Sequence, residues 1–233
     1  MTVLFLLLIL AGIVTALLIA FDVRRNPQNM TIMSITWPIT GLYMPLFGWL
    51  VWRHLGKRTH HEQHEQHEQH EHAESHHDST HQHGGSVSWR SAFISATHCG
   101  AGCVIGDIVA APVAATLQWQ LMGSPFLGHT AISFIAAFLI GILFQYLPMR
   151  EMGASSRSQT VINAIKADTF SLIVFQAGMF FFLWLARGTD LFRAPDVTSV
   201  HFWGVMIIAM FIGYLLSVPA NYFLIKRGIK HAM

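Results

Sequence analysis

The chain has 233 residues, of which 53% are hydrophobic and only 11% charged. A soluble domain carries roughly 25% charged residues, so a water-facing globular surface is excluded and lipid is the expected solvent. The net charge of +2 comes without a basic stripe of interleaved aromatics, which excludes nucleic acid as a partner, and 2 Cys make no disulfide framework.

A spanning helix needs about 20 apolar residues. Runs of that order fall at about 2–21, 31–52, 92–121, 129–148, 161–186 and 202–225. They predict an all-α fold: an integral membrane bundle of about six transmembrane helices in a cell inner membrane. The first run has no charge before Asp22 and is longer than a signal-peptide core, so it reads as a retained helix. The second holds Pro38 and Pro45, expected kink sites.

Residues 59–87 have a different composition. They hold ten histidines (His60, His61, His64, His67, His70, His72, His76, His77, His81 and His83) among Glu, Gln and Ser. From 59 to 86 there is no Val, Ile, Leu, Phe or Trp to build a core, so a disordered loop is expected. Imidazoles bind Zn, Cu, Ni and Co, which makes a buffer or sensor one reading and a repeat-expanded linker the other. The loop divides the chain into a two-helix front, 1–58, and a four-helix membrane domain, 88–233.

The third run carries the chemistry. Residues four apart on a helix share a face, so Cys99, Cys103 and Asp107 form one row, with Ser95 a turn below and His98 alongside. Thiols with a carboxylate suit a metal ion, and soft sulfur favours copper(I) or zinc(II). An ionisable group in mid-membrane is a functional hypothesis by default. The competing reading is packing: Gly102, Gly106, Ala110 and Ala114 follow the small-xxx-small pattern of close helix contacts, and buried Cys behaves as a small hydrophobe. A Cys99–Cys103 redox pair is a third reading. Helical Cβ atoms four apart are about 5–6 Å from each other, whereas a disulfide wants about 3.5–4.5 Å. That bond would need the nearby glycines to unwind the segment.

His129 and His201 sit at the predicted outer ends of the fourth and sixth runs, at an interface or a mouth. On the fifth, Asp168, Leu172, Gln176 and Met179 share a face and offer a pathway lining. The alternative pairs Asp168 with Lys166 or Arg157 and leaves Gln176 as interhelical glue. Asn221, two residues beyond Pro219, is placed to cap backbone groups that the proline frees. With six crossings and a cytoplasmic start, ten Lys and Arg fall inside and four outside, so the positive-inside rule puts both termini in the cytoplasm. Arg24 and Arg25 are the main dissent.

The string His98-Cys99-Gly100-Ala101-Gly102-Cys103, followed by Gly106-Asp107, resembles a bacterial polytopic membrane family known only as a domain of unknown function. The Lys166-Ala167-Asp168-Thr169 and Pro219-Ala220-Asn221-Tyr222 stretches are similar to it too, over about 88–233. The resemblance implies a helical membrane bundle with this string as its defining feature, and it brings no settled activity. Its pattern carries an acidic residue about a turn beyond the Asp, where this chain has Ala110 and Ala111.

The expectation is a non-enzymatic membrane protein that transports or binds a transition-metal ion, copper or zinc. Its site is Cys99, Cys103, Asp107 and His98, with Asp168, Gln176, Met179, His129 and His201 along the path. Its partners are the bilayer and the ion, with a homo-oligomer left open. The alternatives are a thiol-redox or metalloprotein-assembly subunit and a structural bundle without transport. No P-loop, G-x-S-x-G elbow or H-E-x-x-H helix is present.

Overall fold

A computed structural model describes residues 1–28, 30–57, 88–151, 157–189 and 196–230. These form α1 (Thr2–Arg25), α2 (Thr31–Tyr43), α3 (Phe47–Val51), a π-helical turn (Trp52–Gly56), α4 (Trp89–Leu117), α5 (Pro125–Glu151), α6 (Arg157–Ala186) and α7 (Val200–Lys226). No strand occurs among the described residues; there is one isolated bridge between Leu121 and Ser124. The protein is an all-α membrane bundle. Five of the helices, α1, α4, α5, α6 and α7, are long and apolar enough to cross a bilayer. Leu6, Leu10, Leu17 and Phe21 of α1 and Ile135, Leu139 and Leu143 of α5 face outward, as lipid contact requires.

The second apolar run does not cross. α2 stops at Tyr43, where Pro45 has no N–H to continue the ladder. Leu46 takes φ 61° and its N–H donates to Thr15 Oγ1 of α1 at 2.9 Å. The chain then doubles back. A Cβ on Gly48 would lie 3.2 Å from Gly41 Cα, and Trp52 stands edge-on to Trp37 at 5.3 Å between centroids. In one continuous helix those pairs would be roughly 10 and 22 Å apart. The π-turn ends where the hairpin began: Trp52 Nε1 donates to Asp22 Oδ2 at 2.7 Å and Lys57 Nζ lies 3.4 Å from Asp22 Oδ1, at the end of α1. This half-helix hairpin enters and leaves at one end of the bundle.

One crossing is therefore subtracted from the six expected, and the ends of the chain separate. Thr2 Oγ1 is 3.4 Å from His201 Nε2 at the start of α7. At the other end of α7, Tyr222 stacks on Trp89, the first residue of α4, at 4.4 Å. The start of α1 and the end of α7 thus lie at opposite ends of the bundle. With five long apolar helices in place of the six runs, the start of α1 and the end of α7 are not brought to one end as six crossings would have them.

Candidate functional site

α4 begins at Ser88, whose hydroxyl accepts the Ser91 N–H at 3.2 Å, and runs unbroken to Leu117. Its glycines do not unwind it. A Cβ on Gly102 would come within 2.9 Å of Gly141 Cα of α5, and one on Gly106 would collide with Ala137. The small-residue stripe is the packing seam expected for helices that touch backbone to backbone. That contact turns the neighbouring stripe, Ser95, Cys99, Cys103 and Asp107, into the bundle, where each is at most 1% exposed. The packing and chemical readings thus describe different stripes of one helix.

The inward stripe forms one polar seam with α6 and α7. Asp107 is fully buried, with Gln176 of α6 and Ser133 of α5 beside its carboxylate. The three stand together, but no pair of them reaches hydrogen-bond geometry. Cys103 and Cys99 are free thiols one turn apart, and Cys99 neighbours the carboxylate of Asp168. Asp168 is 1% exposed, both its oxygens are unpartnered, and it pairs with neither Lys166 nor Arg157. The seam ends in a hydrogen-bonded cluster around Asn221. The Asn221 amide donates to Ser171 Oγ at 2.6 Å and to Ser217 O at 2.9 Å, and its Oδ1 accepts from Ser95 Oγ at 3.2 Å and Lys230 Nζ at 2.9 Å. Asn221 does bond its own helix, but the carbonyl that Pro219 frees is that of Leu215, four residues back.

Other expected ligands go elsewhere. His98 lies about 100° around the helix from Cys99, is wholly buried, and faces α5 and the hairpin. Its Nε2 meets Phe144 O at 2.6 Å and its Nδ1 meets Met33 Sδ at 3.2 Å. Both nitrogens being engaged, His98 positions the hairpin against α4 and is not brought to the Cys row. Met179 is buried in the apolar core beside Gly213. His201 stacks edge-on to Phe5 at 5.4 Å on the far side of α7. His129 does line a mouth: a cavity of about 680 Å³ walled by residues including Ala114, Trp119, His129, Leu183, Arg187 and Met206. The buried His129 Nε2 has no partner, and the Arg187 guanidinium lies 4.6 Å from the centre of the Phe126 ring. Ala114 is two turns beyond Asp107, and Leu183 two turns beyond Gln176, so this cavity stands at the outer end of the seam.

Among the described residues, no three His, Cys, Asp or Glu side chains converge as a cage for a metal ion. The seam is a file of groups, two or so at each level. The loop histidines from His60 to His83 lie outside the described residues.

A family model described as a domain of unknown function (DUF4396) matches residues 88–230. The chain belongs to this family. The family segment comprises α4 to α7 and all of the seam; the front contributes α1 and the hairpin. Neither the curated proteins nor the solved structures contain a match.

Sequence reasoning missed Lys230, which it counted as an interfacial charge, and Ser133. Gly228 with φ +67° closes a Schellman turn, with Ile229 N–H on Leu224 O at 3.0 Å and Gly228 N–H on Ile225 O at 3.0 Å. A glycine two residues past the helix, just beyond its Arg227 cap, is the signal that the chain turns back there.

Proposed function

We propose that the chain carries a soft transition-metal cation, copper(I) or zinc(II), across a bacterial inner membrane along the seam of α4, α6 and α7. One observation carries this reading: two buried carboxylates with unpartnered oxygens, Asp107 and Asp168, flank two free thiols inside a lipid-facing bundle. A buried carboxylate left without a partner is a standing penalty, and a visiting cation relieves it. Thiolates favour copper(I) and zinc(II) over hard cations. A file of sparse sites suits transit, since a path must bind well enough to admit an ion and weakly enough to release it. The sequence has no P-loop, so movement follows a gradient.

Orientation follows from charge. Every described Lys and Arg except Arg187 falls at the end of the bundle where α4 begins and α7 ends. The positive-inside rule assigns that end to the cytoplasm. Arg24 and Arg25, discordant with six crossings, agree with five. The start of α1 then faces outward.

The test is flux and metal content of the full chain in vesicles. Cys99→Ser with Cys103→Ser should abolish copper(I) or zinc(II) flux and remove about one ion per chain relative to the parent, the loop contribution cancelling in the difference. Unchanged flux overturns the reading. The adjacency of two free thiols also favours a redox role; that role predicts oxidant-dependent alkylation of Cys99 with no ion flux.

A further inference from the structure

Lys230 is the only Lys or Arg among the described residues that is buried, at 2% exposure. An ammonium has three donors; among the described residues this one hydrogen-bonds the neutral amide oxygen of Asn221. The same Asn221 side chain donates to Ser171 Oγ at 2.6 Å, and Ser171 lies one turn along α6 from Asp168, which brings the ammonium near that carboxylate. The two do not close an ion pair, and neither Asp168 oxygen has a partner of hydrogen-bond geometry, the Cys99 thiol standing beside it. A structural charge pair would have closed to about 2.7–2.9 Å. Here the positive charge sits near the carboxylate without occupying it.

The Lys230 N–H donates to Leu224 O at 3.4 Å, so the segment is tied to α7 by the closing turn and not by a further turn of helix. Lys230 lies past the end of α7, beyond the left-handed Gly228, so its withdrawal breaks no turn of helix. A groove of about 480 Å³, walled by Lys166, Phe170, Phe223, Leu224, Arg227 and Ile229, runs beside the same segment. A lysine stem is long enough to carry its charge from such a site to the membrane surface.

We propose that Lys230 is a tethered resident cation, which neutralises Asp168 in the empty protein and which a cargo cation must displace from the inner end of the seam. This rests on the cation reading of the seam and deepens it: Lys230 sets the affinity threshold of the Asp168–Cys99 position. It also couples occupancy to opening, because a cation bound at Asp168 drives the ammonium out to water. The Asn221 cluster holds the tether when the site is empty.

The probe is zinc(II) added to the purified full chain. Amine modification at Lys230, followed by peptide mass analysis, should be slow without zinc and rise at least fivefold with it, and Asp168→Asn should remove the zinc dependence. Lys230→Met should tighten the part of zinc binding that depends on Cys99 and Cys103 about tenfold. If Lys230→Met does not fold, the labelling of the unsubstituted chain decides alone. Zinc bound through the cysteines with Lys230 labelling unchanged overturns this inference and leaves the transport reading standing. No cysteine-dependent binding in any version overturns both.

Discussion

Asp107→Asn should make the protein more stable and less active at once. Asp107 is fully buried, and neither oxygen has a hydrogen bond. Leaving a buried polar group unsatisfied costs about 1–3 kcal/mol, and more for a charged one. Asparagine keeps the shape, removes the charge, keeps an acceptor for the Gln176 Nε2 donor and adds two donors toward the unpartnered Ser133 Oγ and Gln176 Oε1. A gain of roughly 1–3 kcal/mol follows; at about 2–4 °C per kcal/mol for a chain of this size, the midpoint should rise by roughly 2–12 °C. Thermal unfolding in detergent measures the first effect and cation flux in vesicles the second. A variant that is destabilised would show that the carboxylate holds the bundle together. One that is stabilised yet transports normally would remove Asp107 from the path. Only a gain in stability joined to a loss of flux supports a group retained for function against its energetic interest.

Three further outcomes test the frame around the seam. Asn221→Ala removes four hydrogen bonds and leaves Lys230, Ser95 and Ser171 without this partner, so it should lower stability by about 2–4 kcal/mol in chemical unfolding. Gly102→Ala sets a Cβ 2.9 Å from the Gly141 backbone, where no side chain can yield, and should cost about 1–3 kcal/mol in thermal unfolding, while a neutral result would mean that α4 and α5 are less closely seated. An impermeant thiol reagent should reach Thr2→Cys and Arg227→Cys from opposite faces of sealed vesicles, and labelling from the same face would refute the hairpin topology.

The apolar runs were legible because spanning length is a property of composition, and five of the six became long helices. The second misled for a physical reason. Hydropathy counts residues and does not register that Pro45, set between Gly41 and Gly48, folds the run in half. The spacing of Cys99, Cys103 and Asp107 located the inward stripe of α4, since helical periodicity fixes which residues share a face. It did not reveal that Asp168 would meet Cys99, because that depends on how α6 is rotated against α4. His98 was grouped with its sequence neighbours, but a single step turns a side chain about 100°, enough to point it at Phe144 and Met33 instead. Lys230 resembled a flanking charge until the turn at Gly228 carried it inward.

The hairpin also places demands on the helices around it. Thirteen residues of α2 reach only about 20 Å, short of a hydrocarbon core near 30 Å. Its tip, Met44 to Leu46, therefore stops within the membrane with backbone groups that lipid cannot satisfy. Thr15 supplies the acceptor for Leu46 N–H, and Asp22 fastens the returning π-turn, both from α1. The first helix thus supplies the polar partners that the hairpin needs inside the bilayer. The hairpin's other face, with Met33 and Tyr43, finds its wall in His98 and Gly100 of α4. Without α4, that face of the hairpin has no wall.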